Sequence, residues 1–136
     1  MEYISKGLED TEKIAYKFAD TLKGNEVILL IGDLGAGKTT FTKSLAKALG
    51  VKEHITSPTF TLVNEYHSGK FTLYHFDMYR LEDENEAIEI GLDEYFNDNA
   101  ISIIEWPERI KDLLPLNCVK IKIEKIDDNS RKFIID

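Results

Sequence analysis

One cysteine, Cys118, stands in 136 residues, so no internal disulfide can form, and a reducing, cytoplasmic setting is expected. Cys118 itself reads as an apolar filler in a strand-like segment. No apolar run approaches the roughly 20 residues a membrane-spanning helix needs. The first residues, Met1 to Lys6, carry neither a basic head nor an apolar stretch, so neither a signal peptide nor a membrane partner is expected. Positive charge is scarce: 17 Lys and Arg face 25 Asp and Glu, a net charge of −8, and the arginines are Arg80, Arg109 and Arg131 alone. Nucleic-acid affinity rests on neutralising phosphates, so this acidity excludes a strong independent nucleic-acid binder and leaves any RNA to a partner. No N-K-x-D string follows an apolar run, so the guanine-reading signature of small GTPases is missing and adenine is the default base. No repeat, low-complexity segment or interdomain linker interrupts residues 1–136, which read as one domain large enough to bury a core.

Against these absences stands the segment from Val27 to Gly50. Five apolar residues, Val27–Ile31, precede Gly32-Asp33-Leu34-Gly35-Ala36-Gly37-Lys38-Thr39, which fits G-x-x-x-x-G-K-[ST]. In such a loop the backbone N–H groups wrap phosphates, the Lys reaches the terminal ones and the hydroxyl binds Mg²⁺. The residues from Lys38 repeat as a helix, with Phe41, Leu45 and Leu49 on one face and Gly50 as its stop. A helix N-terminus directly after the glycines offers phosphates free N–H groups and the positive end of the dipole. The ligands expected are ATP and Mg²⁺, on Asp33 to Thr39. Thr40 either touches a phosphate or is a plain helix residue.

The remaining chain supplies an α/β pattern. Residues 10–22 read as a helix capped by Asp10, with Ile14, Phe18 and Leu22 at four-residue spacing. Two aromatic and β-branched runs, 60–66 and 70–77, flank Ser68-Gly69 and read as a β-hairpin. Asp83-x-x-Glu86 is a capping box that opens a helix to about Phe96, with Ile88, Leu92, Tyr95 and Phe96 on its apolar face. Ala100–Ile104 is a second uniformly apolar run, as expected of a strand covered on both sides. A short helix follows from Pro107 to Leu113. Residues 119–125 alternate as a half-exposed strand, with 131–135 pairing back onto it. The fold class expected is α/β: a P-loop NTPase-like three-layer fold with a mixed, mostly parallel central sheet that includes a β-hairpin.

A P-loop alone hydrolyses nothing; it also needs an acidic residue at the end of a neighbouring strand. Asp77 and Glu105 both meet that description, although either can equally be a solvated strand end. The more uniformly apolar strand makes Glu105 the better Mg²⁺ ligand and leaves Asp77 to position or deprotonate water. His75 shares the Asp77 face of its strand, as a core residue or a functional one. Arg80 is either a cis arginine at the phosphates or a partner for the nearby glutamates, and no other arginine lies near the motifs. Trp106 either stacks on a base or a partner or belongs to the core. A small-molecule kinase and a GTPase-like switch start from the same loop; three arginines are few for a kinase that must clamp its acceptor.

In order, GDLGAGKTT (Gly32–Thr40), SPTFTL (Ser57–Leu62), HFDMYR (His75–Arg80) and EWPE (Glu105–Glu108) resemble the bacterial TsaE family, P-loop ATPases required for N6-threonylcarbamoyladenosine in tRNA. The match covers most of residues 27–110, and the C-terminus reads as short for the family. The resemblance implies that Thr39 and Glu105 bind Mg²⁺, that Asp77 is the candidate catalytic residue with Lys38, and that Ser57, Pro58 and Thr59 form a switch-like loop. It also implies that side chains around the first helix, with Thr11 as the candidate, hold the adenine. His75, Tyr79, Arg80 and Trp106 are the further candidates for switch or partner contacts. The implied partners are TsaB and TsaD, with tRNA engaged only indirectly through TsaD.

Overall fold

The two uniformly apolar runs become neighbouring parallel strands at the centre of one seven-stranded sheet. The structure is a computed structural model and describes residues 1–33, 35–58, 62–97 and 99–136. Leu34 and Thr59, both expected in the site, lie outside the described residues, as does the start of the expected hairpin at 60–61. In chain order the elements are β1 (Glu2–Ser5), α1 (Leu8–Ala19), β2 (Val27–Ile31), α2 (Lys38–Ala48), β3 (Val63–Tyr66), β4 (Thr72–Asp77), α3 (Glu84–Glu89), β5 (Ala100–Glu105), β6 (Cys118–Lys125) and β7 (Arg131–Ile135). Short 3₁₀ helices span Leu92–Tyr95 and Pro107–Leu113.

The strand order is β1-β7-β6-β2-β5-β4-β3. The four central strands, β6, β2, β5 and β4, run parallel, and antiparallel neighbours close both margins. All six residues of β5 are buried, which is why that stretch carries no alternation of apolar and polar residues. In β2, Ile28 and Leu30 face one cluster while Val27 and Leu29 face the other, the period-2 consequence of the pleat.

The two faces define three layers. On one, α1 and α2 bury Ile14, Phe18, Phe41 and Leu45 against Ile28, Leu30, Ile101 and Ile103. On the other, α3 and the 3₁₀ helices bring Ala87, Leu92 and Ile110 against Phe76, Met78 and Ile104. Helix α2 ends as the sequence predicts: Gly50 takes φ 83°, its N–H donates to Lys47 O at 3.0 Å, and Val51 N–H donates to Ala46 O at 3.0 Å. This is the paired closure of a Schellman motif.

Three local expectations need correction. Helix α1 starts after Gly7 with no side-chain cap, and Asp10 instead accepts the Lys6 N–H at 2.9 Å from within the first turn. The helix expected from the Asp83 box to Phe96 stops at Glu89, because Gly91 adopts φ 74° and breaks the phase; Ala87 is buried and Ile88 is 56% exposed. The box itself is offset: Asp83 caps the Asn85 N–H at 2.9 Å, while Glu86 reaches back to the Glu82 N–H at 3.1 Å. Strand β1, paired antiparallel with β7, is an element the sequence pattern did not announce.

Candidate functional site

Register brings the candidate side chains together. Glu105 pairs with Leu30 of β2 on one side and with Asp77 of β4 on the other. His75, Asp77 and Glu105 alternate with Phe76 and Ile104, which are buried on the opposite face, and share the parity of Leu73, Ile101 and Ile103 on the face that carries α2. The glycine-rich loop leaves the end of β2 beside them. Gly35 and Gly37 have φ of 81° and 102°, a left-handed region in which a Cβ is unwelcome. Gly37 is also the N-cap of α2 and supplies no side-chain cap. Among the described residues the first-turn N–H groups of α2 therefore have neither an intrahelical nor a capping acceptor, which is the condition for an anion site at a helix start.

Burial sharpens the electrostatics. Lys38 is 6% exposed, with Nζ 3.9 Å from Glu105 Oε1 and 4.4 Å from the centroid of the Trp106 ring. The second Glu105 oxygen, Oε2, lies 2.6 Å from His75 Nε2. His75 is fully buried, and its Nδ1 is the buried side-chain polar atom without a hydrogen-bond partner among the described residues. Glu105 thus turns one oxygen to His75 and the other to Lys38. Burial raises the Asp77 carboxyl above the ordinary aspartate range, against the Tyr79 N–H that it accepts at 3.0 Å, and the neighbouring Glu105 adds to the rise.

A cleft of about 510 Å³ opens over this corner. Lys38, Thr39, Asp77 and Glu105 line it with Ser57, Tyr79, Arg80, Trp106 and Arg131, and with Gly35, Gly37 and Thr40 from the loop and the start of α2. Tyr79 is 44% exposed and stacks at a tilt on Trp106, centroids 4.9 Å apart. Pro58 is buried. Asp33 and Ala36 border a different cleft, of about 640 Å³, toward Lys122–Lys125 and Glu108. Thr11 is buried, with its hydroxyl 2.7 Å from Ser5 Oγ, and it borders a third cleft of about 220 Å³ together with Thr40 and Arg131.

Arg131 corrects the sequence reading, which left Arg80 as the one arginine near the motifs. It lines both the main and the third cleft and donates to the carbonyls of the glycine-rich loop. No local pattern marks a residue 95 positions away from its partner. Among the described residues no group of three His, Cys, Asp or Glu is placed to hold a metal ion, and no helix is long and apolar enough to cross a membrane.

A glycine-rich loop between a central parallel strand and its helix, with carboxylates ending the two next strands, defines a P-loop NTPase-like α/β domain. The comparisons with known proteins narrow that class. A family model described as threonylcarbamoyl adenosine biosynthesis protein TsaE matches residues 5–133, and this chain belongs to the TsaE family. It is 45% identical over 124 residues to the tRNA threonylcarbamoyladenosine biosynthesis protein TsaE of Bacillus subtilis, covering 91% of this chain and 77% of that protein. The protein of the same description from Aquifex aeolicus is 48% identical over 133 residues, covering 96% and 92%. Among solved structures, the crystal structure of Bacillus subtilis YdiB superposes with a TM-score of 0.83 at 37% identity, covering 98% of this chain and 82% of that one.

Proposed function

We propose that this chain is an ATP-binding, Mg²⁺-dependent ATPase that serves threonylcarbamoyladenosine modification of tRNA by acting on a TsaB–TsaD complex in the cytoplasm, without transferring the group itself. The observation that carries the reading is the meeting of Lys38 and Thr39 with Glu105 and Asp77 at one corner of the sheet, on paired register positions. Membership of a family named for this biosynthesis supports the pathway, and the net charge of −8 favours a subunit that leaves RNA to its partners.

The donor chemistry fits a hard divalent cation. One hydroxyl, on Thr39, and one carboxylate, on Glu105, are the oxygen ligands the chain offers, and such sites take their remaining ligands from water and phosphate. Mg²⁺, when bound, neutralises charge on the phosphates. The side chains supply the rest. Lys38 and the first-turn N–H groups of α2 hold anionic oxygens. His75 fixes the orientation of Glu105 through Nε2. Asp77, anchored by the Tyr79 N–H and made more basic by burial, orients a water molecule and accepts its proton. Thr11 and the small cleft beside Thr40 are the candidate contacts for the base.

The test is phosphate release by the full chain, alone and with TsaB and TsaD, using ATP and Mg²⁺. The reading expects slow turnover alone, stimulation by the pair, and phosphate delivered to water rather than to a small metabolite. Asp77→Asn should bind ATP within about threefold of the natural chain yet lose hydrolysis by roughly 100-fold or more. Normal hydrolysis by that variant would remove Asp77 from its role. Phosphate transfer to a metabolite would instead establish a kinase.

A further inference from the structure

Arg131, the first residue of β7, places its guanidinium against the glycine-rich loop. Its Nε donates to Ala36 O at 2.9 Å and its Nη2 to Gly35 O at 3.4 Å. On the other side of the same plane, Nη1 donates to Asp127 O at 2.7 Å, to Ser130 O at 3.0 Å and to Asp128 O at 3.4 Å. All five acceptors are main-chain carbonyls. One planar group therefore bridges the loop after β2 and the turn between β6 and β7, two segments with no other reason in sequence to share a partner.

A loop that turns its N–H groups toward an anion must send its carbonyl groups the other way, and each carbonyl then needs a donor. Gly35 and Gly37 both sit at positive φ, so the backbone here has many alternative conformations to lose on binding. A brace on the carbonyl side lowers that cost before any ligand arrives, which is preorganisation. Only a planar fork can satisfy two successive loop carbonyls and the turn together; an ammonium is a single point of charge on a flexible stem.

We propose that Arg131 is the positioning residue of the glycine-rich loop, holding its N–H side in the anion-binding arrangement and tying it to the β6–β7 turn that walls the third cleft. The proposal rests on the anion-binding reading of the loop. Lys38 supplies charge to the ligand; Arg131 supplies shape to the loop.

The experiment compares the natural chain with Arg131→Lys and Arg131→Ala by hydrogen–deuterium exchange without nucleotide, then by titration with a fluorescent ADP analogue. Exchange at Ala36 and Phe41, whose N–H groups donate to Asp33 O and Gly37 O at 3.0 Å, should quicken by about tenfold in both variants while the later turns of α2 and strand β5 keep their protection, and analogue affinity should fall by about tenfold in both. Should Arg131→Ala fail to fold, Arg131→Lys decides. A lysine variant equal to the natural chain in both measurements overturns the proposal, because charge alone would suffice. Uniform loss of protection across the sheet, or analogue binding within twofold in the variants, overturns it as well. A natural chain that does not bind the analogue at all refutes the anion reading of the loop, while the exchange comparison still judges the brace.

Discussion

At the N-terminal ends of the parallel strands the chain closes on itself. Ala100 N–H donates to Gly24 O at 2.9 Å and Ser102 N–H to Glu26 O at 3.1 Å, and the Glu26 carboxylate accepts the N–H groups of Lys23, Gly24 and Asn25 at 2.8 to 3.1 Å. At the C-terminal ends lie a buried lysine at the start of α2, a buried glutamate, a fully buried histidine with one nitrogen unpartnered among the described residues, and a partly buried aspartate. The first end uses its polar groups to satisfy backbone; the second holds side-chain charge out of water. Such burial is costly unless paired, so a fold optimised only for stability would make the two ends alike. Their difference falls where the proposed nucleotide site lies, in agreement with the rule that open α/β sheets bind at the carboxyl ends of their strands.

Substitutions at the two ends should separate binding from folding. The largest effect is expected for Lys38→Ala, which should lower ATP affinity by roughly 100-fold or more, as loss of a charge-assisted contact in a partly desolvated site does; calorimetric titration measures it, and unchanged affinity would undo the assignment of this end. Gly24→Ala should act on folding alone. Gly24 has φ 113°, and a Cβ would lie 2.8 Å from the Phe71 ring, so urea unfolding should show a loss of about 1–3 kcal/mol, with nucleotide affinity of the folded fraction intact. Glu26→Ala should cost about 1 kcal/mol at neutral pH by leaving three N–H groups to water.

The carboxylates at the two ends should also answer pH with opposite sign. Burial works to raise the Glu26 carboxyl, but the amides of Gly24, Lys23 and Asn25 outweigh it and the net direction is down. A lowered folded value means a stabilisation present above the ordinary glutamate range and lost as pH falls through that folded value. Asp77 is raised, first by burial and then by Glu105, despite the Tyr79 N–H. Its ionised form therefore detracts from stability above the raised value, and the loss is recovered as pH falls through it. Thermal melts should show the Glu26→Ala deficit narrowing on acidification. The smallest expected effect is a slight stabilisation by Asp77→Asn at pH 7 that fades toward lower pH; a gain that grows on acidification would contradict the assigned environment.

The parts of the fold written in the sequence are those whose cause is local or periodic. Apolar runs in Val27–Ile31 and Ala100–Ile104 mark strands buried on both faces, and four-residue spacing in α1 and α2 marks helices with one apolar side. The loop between β2 and α2 is legible because its glycines answer a backbone requirement at fixed positions. Strand β1 is not, since its four residues depend on β7 for their pairing and Ile4 remains 50% exposed. The break at Gly91 is visible only as a glycine; that it resets the phase after α3 follows from its positive φ. At the site, strand ends nominate Asp77 and Glu105 correctly as neighbours, because register follows from two adjacent parallel strands. The Arg131 brace is invisible, for its partners are carbonyl oxygens that every residue possesses.

Trp106 sits at positive φ, 57°, where β5 turns into Pro107, between the Lys38 ammonium and the Tyr79 ring. It is the only tryptophan in the chain. The unlabelled protein therefore carries a single indole chromophore, and its emission reports on one corner of the molecule without a second signal to dilute it. A cation 4.4 Å above the ring perturbs the electronic states of that indole, so any event that draws Lys38 toward another anion is written into the fluorescence spectrum.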